Sequence, residues 1–127
     1  MNTPQYTTYQ LDGKRFTSRL PPTTRLSQQI RDEAGIKSVK VGCNAGDCGA
    51  CSVLLDGQPV CACLTPLAQV AERNVETVTG LMADEPLTQA LSQSFLEHGA
   101  VQCGMCTPAM LVAATALHRT HAAPSEL

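Results

Sequence analysis

Seven cysteines are the residues of this 127-residue chain with the clearest potential for chemistry. Three fall within residues 43–51, two follow at 61 and 63, and two lie downstream at 103 and 106. An odd number of cysteines, in a sequence that opens without the basic and apolar segments of a secretory signal, fits a disulfide framework poorly. We therefore expect a cytoplasmic protein whose thiols bind a metal or take part in redox chemistry.

The first three cysteines belong to a segment of small residues, GCNAGDCGAC, which we call the cysteine loop (residues 42–51). Their spacing, C-x4-C-x2-C, is that of plant-type [2Fe–2S] ferredoxins, in which a fourth cysteine follows. Four thiolates carry excess negative charge, and small residues let backbone N–H groups approach the sulfurs. Gly46 and Gly49 supply this close approach and conformational freedom. The loop therefore predicts a [2Fe–2S] site that uses Cys43, Cys48 and Cys51.

The residues alone leave two candidates for the fourth ligand, Cys61 and Cys63. If residues 58–63 form one strand, both thiols point to the same face, so alternation does not distinguish them. The thiol that is not a ligand would act as a small buried hydrophobic residue.

Two other interpretations of the cysteine loop are less consistent with its spacing and context. A zinc site of four cysteines normally has two separated C-x2-C knuckles. A thioredoxin-like pair formed by Cys48 and Cys51 belongs at the start of a helix, whereas the strand-like run SVLL follows here. Both spacing and context therefore favour the iron–sulfur interpretation.

Two Asp-Gly pairs, at residues 12–13 and 56–57, predict the turns of two β-hairpins. Residues 75–78 could add a last short strand. One helix is predicted between the hairpins, with Thr23 or Thr24 as its cap and Gly35 at its end. Together these elements predict a small α+β unit that ends near residue 80 and positions the cysteine loop.

Two further helices are predicted in the second part of the chain. One opens at Pro86 and closes at Gly99, and the other is capped by Thr107, begins at Pro108 and runs to Leu117. The second helix is apolar on nearly every face, so we expect it to be buried on several sides. Two helices do not provide enough partners for such burial. Either another chain covers it, or the sequence is part of a longer subunit.

Composition excludes several classes of function. Nine basic and eleven acidic side chains give a net charge of −2, which argues against binding to nucleic acid. Aromatic residues make up only 3% of the chain and tryptophan is absent, so base-stacking surfaces are not expected. No apolar run approaches the length of a membrane span. No Ser–His–Asp set or phosphate-binding loop stands out, so we expect no substrate chemistry on this chain.

These motifs resemble the small iron–sulfur component of the molybdenum hydroxylases, the family of xanthine dehydrogenase, aldehyde oxidase and carbon monoxide dehydrogenase. The resemblance extends from about Tyr6 to the end of the sequence. It implies an α+β fold with a β-grasp, plant-type ferredoxin domain (residues 1–80) and a helical-bundle domain (residues 81–127), here incomplete. In the family the fourth ligand follows the third after eleven residues, which implies Cys63 and leaves Cys61 as an additional thiol. The segments that carry the resemblance are GCNAGDCGAC (42–51), LLDGQPV (54–60), CLTP (63–66) and VQCGMCTPAM (101–110).

The resemblance also implies roles for residues 102–106. Cys103 and Cys106 would supply two ligands of a second [2Fe–2S] cluster, and the other two would come from a later Cys-x-Cys motif that this sequence lacks. They are therefore half of a site, and we expect the sequence to be a fragment of a longer subunit. Gln102 is a candidate contact to a molybdopterin on a partner chain.

Two alternatives for the downstream cysteines follow from the residues themselves. Cys103 and Cys106, with His118 and His121, share part of the spacing of a Cys2His2 zinc site. The two cysteines could instead form a dithiol redox pair just before a helix.

The function implied by the resemblance is electron transfer. A molybdopterin-binding large subunit would hydroxylate a heterocycle or an aldehyde. Its electrons would pass singly through the cluster of the helical domain and then that of the ferredoxin domain to an FAD-binding or other acceptor subunit. The main alternative is a free-standing ferredoxin-like carrier with a charged docking face, and a zinc-binding structural module is a third. The apolar helix favours a subunit, because an exposed apolar surface indicates a partner.

Overall fold

The computed structural model describes residues 6–125, which form a five-stranded mixed sheet and four α-helices. The strands are arranged in the order β2-β1-β5-β3-β4, and all neighbours are antiparallel except β1 and β5. The predicted α+β class is confirmed. In chain order the strands are β1 (Thr7–Leu11), β2 (Lys14–Ser18), β3 (Ser52–Leu55), β4 (Gln58–Cys61) and β5 (Asn74–Glu76). The helices are α1 (Leu26–Gln28), continued as a π-helix over Gln29–Glu33, then α2 (Val78–Asp84), α3 (Pro86–Glu97) and α4 (Thr107–Thr120).

Both predicted hairpins are confirmed, and their turns share one geometry. Asp12 and Gly13 have φ angles of 51° and 80°, and Asp56 and Gly57 have φ angles of 49° and 83°. Positive φ at both central positions is the requirement of a type I′ turn, whose twist matches that of the flanking strands. The second turn fixes the register of β3 and β4, the two strands that follow the cysteine loop.

The helix between the hairpins starts later than predicted, and its start is stabilised differently. Arg25 is its N-cap, without a capping bond from its side chain. The Leu26 N–H instead donates to the Thr65 carbonyl at 2.8 Å, across the fold. The prediction that Thr23 or Thr24 caps this helix is therefore wrong, because a distant backbone carbonyl satisfies the first N–H group.

Two apolar cores lie on opposite faces of the sheet. Successive side chains of a strand point to opposite faces, so Val53 and Leu55 of β3 enter the first core and Leu54 enters the second. The first core is enclosed by α1 and the turns after β4, and the second by α2 and α4. The second core consists of Leu54, Val78, Leu81, Leu111 and Val112.

Helix α2 was not anticipated as a separate element. The strand predicted at residues 75–78 is observed as β5, and Val78 already begins α2, so that Gly80 lies within a helix. The Asp12 carboxylate of the first hairpin turn accepts the backbone N–H and the hydroxyl of Thr77, each at 2.6 Å. Burial raises the pKa of this carboxyl group above its usual value. This contact joins the first hairpin to the start of the helical region.

The last two helices are confirmed, with one correction to the longer one. Cys106 is the N-cap of α4 and Thr107 is its first residue, so Thr107 does not cap it. One face of α4 is buried against α2, α3 and β3, whereas Met110 and Leu117 on the other face are 51% and 46% exposed. The exposed face agrees with the expectation that the helices of this chain do not enclose α4, and its coverage from outside stays a prediction. Within residues 6–125, no helix is both long enough and apolar enough to cross a membrane.

Candidate metal centre

The cysteine loop joins the segment after the π-helix to β3, and it reverses direction several times. Asn44, Gly46 and Gly49 all have positive φ angles, of 58°, 73° and 75°. A Cβ atom at Gly46 would overlap the side chain of Leu64, which lies across the loop. Glycine is therefore required at position 46 both by the backbone conformation and by the close approach of Leu64.

Three backbone N–H groups converge on the sulfur of Cys43. Those of Ala45, Asp47 and Cys48 lie 3.3, 3.3 and 3.2 Å from Cys43 Sγ. A fourth, from Ala50, lies 3.5 Å from Cys48 Sγ. The three donors, led by that of Cys48, lower the pKa of the Cys43 thiol from 9.0 to about 6, because they stabilise the thiolate. The loop is therefore arranged to stabilise negative charge on sulfur.

Cys51 and Cys63 form a second, buried pair of thiols. The Cys63 N–H lies 3.4 Å from Cys51 Sγ. Burial raises the pKa of Cys51 to about 11, and the neighbouring thiol of Cys63 adds to the effect. A metal ligand must be deprotonated, so metal binding at Cys51 would release a proton that the apoprotein holds tightly.

The structure places Cys61 and Cys63 in different elements. β4 ends at Cys61, and residues Ala62–Leu64 form a 3-10 turn, so the expectation of one strand over residues 58–63 is wrong. The Thr65 hydroxyl donates to the Cys61 carbonyl at 3.0 Å and holds this turn. As a result the Cys63 N–H lies next to Cys51 Sγ, while Cys61 is half-buried. Both residues pack in the first core, and Cys61 also contributes to raising the pKa of Cys51.

The donor set suits the group that the sequence predicts. The thiols meet in two pairs, Cys43 with Cys48 and Cys51 with Cys63. In the described part of the chain, no three His, Cys, Asp or Glu side chains gather closely enough for a single metal ion. A two-iron cluster with four thiolates places two on each iron, so paired thiols suit it. The loop also leaves space at the sulfur, since a Cβ atom at Gly42 would lie 2.7 Å from Cys48 Sγ.

The downstream cysteines lie in the segment just before α4. Cys103 and Cys106 are both exposed, as is Gln102. The helical rise per residue places His118 about 18 Å from Cys106 along the axis of α4. The Cys2His2 zinc arrangement is therefore not formed.

Sequence reasoning missed two residues that contact the centre. Arg25 donates from Nε to the Cys63 carbonyl at 3.1 Å. Leu64 covers Gly46 and remains 61% exposed. The position of Leu64 next to Cys63 was a usable signal. Arg25, 38 residues from its partner, gave none.

Two family models match this chain. One, described as a 2Fe-2S iron-sulfur cluster binding domain, matches residues 1–92. The other, described as a [2Fe-2S] binding domain, matches residues 77–127. Together they span the region that contains all seven cysteines.

Curated relatives and solved structures agree with these matches. The nicotinate dehydrogenase small FeS subunit of Eubacterium barkeri is 42% identical over 84% of this chain and 68% of that protein. The xanthine dehydrogenase iron-sulfur-binding subunit of Escherichia coli is 38% identical over 84% of this chain and 66% of that protein. The chain thus spans about two thirds of these relatives' length.

Among solved structures, quinoline 2-oxidoreductase from Pseudomonas putida 86 superposes with a TM-score of 0.88 at 37% identity, covering 95% of this chain and 74% of the other. The aldehyde oxidoreductase from Desulfovibrio desulfuricans gives a TM-score of 0.86 at 37% identity, covering 95% of this chain and 13% of the other.

Proposed function

The chain belongs to the family of [2Fe–2S]-binding electron-transfer subunits of the molybdenum hydroxylases, and on this premise we propose that Cys43, Cys48, Cys51 and Cys63 hold one [2Fe–2S] cluster. The paired thiols support one iron between Cys43 and Cys48 and the other between Cys51 and Cys63. Such a cluster accepts and returns single electrons. This leaves Cys61 as a packing residue. The division into residues 1–80 and 81–127 is part of the same proposal.

The observation that carries this proposal is the convergence of three N–H groups on Cys43 Sγ. Hydrogen bonds to a ligand sulfur stabilise its negative charge and raise the reduction potential of the centre they surround. Gly46 and Gly49 give the loop the conformation that directs these groups inward. The chain's own residues thus set the charge at the sulfurs and shield Cys51 and Cys63 from water.

The downstream residues support a second cluster and an interface. We propose that Cys103 and Cys106 provide two ligands of a second [2Fe–2S] cluster and that Gln102 contacts the molybdopterin of a large partner subunit. Met105, Met110 and Leu117 are exposed close by, which supports coverage of this region by a partner. An FAD-binding or other acceptor subunit completes the proposed complex, and a cytoplasmic location is part of the proposal. Two of the relatives are themselves named as subunits.

Iron and sulfide analysis, with EPR of the reduced protein, tests the number of clusters. Two irons per chain and one EPR signal are expected if only the first site is filled. Four irons and two signals are expected when the second site is complete. A colourless protein, or one that contains zinc at these cysteines, would overturn the proposal.

Two matched variants test the choice of the fourth ligand. Cys63→Ser is expected to lose the visible spectrum of the cluster or to shift its EPR signal, because an oxygen ligand replaces a thiolate. Cys61→Ser is expected to keep both spectra and lose only some stability from the first core. The reverse result would assign Cys61 as the ligand.

A further inference from the structure

A short backbone bridge fixes the segment that carries Arg25. The Leu26 N–H donates to the Thr65 carbonyl at 2.8 Å, and a second backbone bond of 3.0 Å closes the other side of the bridge. Between these two bonds, Arg25 pairs with Pro66 as an isolated antiparallel bridge. The backbone of Arg25 is therefore held beside the segment that follows Cys63.

The side chain of Arg25 supplies a bond that the turn around Cys63 lacks. Residues 62–64 form a 3-10 turn, whose last backbone bond runs from the Thr65 N–H to the Ala62 carbonyl at 3.4 Å. The next bond of this kind would need an N–H at residue 66, which is proline and has none. Arg25 Nε donates to the Cys63 carbonyl instead, at 3.1 Å. This side chain therefore helps to fix Cys63 in the turn.

The charge of Arg25 is directed at Cys63 rather than at a carboxylate. Among residues 6–125, no salt bridge involves Arg25. Asp32 lines one cleft together with Arg25, but its ion-pair partner is Lys37, with 3.7 Å between Nζ and Oδ1. Arg25 and Cys63 line a second cleft, of about 430 Å³. A full positive charge is therefore hydrogen-bonded to the backbone of a proposed ligand.

Such a charge favours the reduced form of the proposed centre. Reduction adds one negative charge, and Cys63, at 2% exposure, is shielded from the water that would otherwise screen it. The guanidinium also neutralises the negative end of the Cys63 carbonyl, which belongs to the same residue as the sulfur. Donors and positive charges around the ligands stabilise the more negative state of a cluster and so raise its reduction potential.

We propose that Arg25 is a positioning residue for Cys63 and that its charge raises the reduction potential of the centre at the cysteine loop. Arg25 acts on the sulfur through the backbone of Cys63, to which its side chain is bonded. The proposal rests on the proposed function, in which Cys63 is the fourth ligand, and it adds a residue that tunes the electron transfer of this site.

A redox titration of the holoprotein, followed by visible absorption and EPR, measures the potential. The EPR signal that Cys63→Ser removes or shifts identifies the relevant centre. Arg25→Met loses the charge and the donor but keeps much of the length of the side chain. At a fixed applied potential, this variant should lower the ratio of reduced to oxidised centre about fivefold to tenfold, since Arg25 is exposed and water screens part of its charge. For a one-electron couple, this is a potential lower by about 40–60 mV.

Two further variants separate the local charge of Arg25 from general effects. Arg25→Lys keeps the charge and should restore most of the lost potential. Arg15→Met removes an arginine from β2, the sheet edge opposite β4, and should change the ratio less than about 1.5-fold. An unchanged potential in Arg25→Met, or an equal fall in Arg25→Lys or in Arg15→Met, would overturn the proposal.

Alkylation of the apoprotein separates the positioning role from the proposed function, because it needs no cluster. Cys63 is buried, so its alkylation requires the turn to open. Loss of the Arg25 bond should therefore speed alkylation of Cys63 about fivefold in Arg25→Met. The exposed Cys103 and Cys106 should react at the wild-type rate and serve as internal references.

The direction of this change distinguishes the two effects of Arg25. Loss of a positive charge alone would disfavour the Cys63 thiolate and slow the reaction, so a faster reaction reports opening of the turn. Faster alkylation of Cys63 supports the positioning role even if iron analysis finds no cluster, a result that would refute the proposed function alone. An unchanged or slower rate at Cys63 would overturn the positioning role, whatever the iron content.

Discussion

A single methyl group at Gly42 should disturb the metal centre more than the fold. Its Cβ would lie 2.7 Å from Cys48 Sγ, about 1 Å closer than a normal contact between such atoms. The sulfur can move aside in the apoprotein, but a metal-bound thiolate is held within about 0.2 Å. We therefore assign most of the cost of Gly42→Ala, about 2 kcal/mol for a crowded site, to the holoprotein. This cost corresponds to an affinity for the cluster that is about 30-fold weaker.

The assay follows loss of visible absorption in excess chelator, together with thermal unfolding of the apoprotein. Gly57→Ala is the matched control, because φ is 83° there and nothing lies within 4 Å of the added Cβ. This control should lower the unfolding temperature, because the backbone strain costs about 1–2 kcal/mol. Its cluster should bleach no faster than this loss of stability explains. If Gly42→Ala bleaches at the wild-type rate, Gly42 does not provide space for a Cys48 ligand.

Two further predictions concern a buried hydroxyl pair and the reactivity of the loop thiols. Thr115 donates its hydroxyl proton to the Leu111 carbonyl, so Thr88, buried 2.7 Å away, donates to Thr115. Thr115→Val should therefore lower the free energy of unfolding, measured by chemical denaturation, by about 1–3 kcal/mol, which is more than Thr88→Val should lower it. The double variant should recover part of the loss. Additive losses would contradict this order of donation. In the apoprotein, alkylation of Cys43 should reach half its maximal rate near pH 6, because thiolate accumulates above its lowered pKa, whereas that of Cys51 should still rise toward pH 11. Peptide mass spectrometry measures both, and a Cys43 midpoint near pH 9 would show that the N–H groups do not stabilise its thiolate.

The parts of the fold that were predictable depend on local chemistry. An Asp-Gly pair accepts two consecutive positive φ angles, so both hairpin turns could be located without tertiary information. Pro86 and Gly99 likewise bracket α3 closely. The cysteine loop was recognisable for a similar reason, since the spacing of its thiols and its small residues both follow from the needs of one compact site.

The errors arise where distant segments decide local structure. The start of α1 was misplaced because the Thr65 carbonyl, rather than a nearby hydroxyl, receives the Leu26 N–H. The choice between Cys61 and Cys63 was undetermined because the 3-10 turn that separates them depends on contacts such as that from Arg25. The strand on which α4 packs could not be identified, because Leu54 comes from β3 and no local pattern shows which strand a helix will cover.

The core between β3 and α4 also affects how the two groups of cysteines are held. β3 begins directly after Cys51, and α4 begins directly after Cys106. Leu54 of β3 packs against Leu111 and Val112 of α4, all 5% exposed or less. Each group of thiols therefore adjoins an element that is fixed by the same core, and a site is positioned most accurately on packed elements. A substitution that loosens this core, such as Leu54→Ala, would alter the distance between the groups without touching either, because the core that carries both would relax.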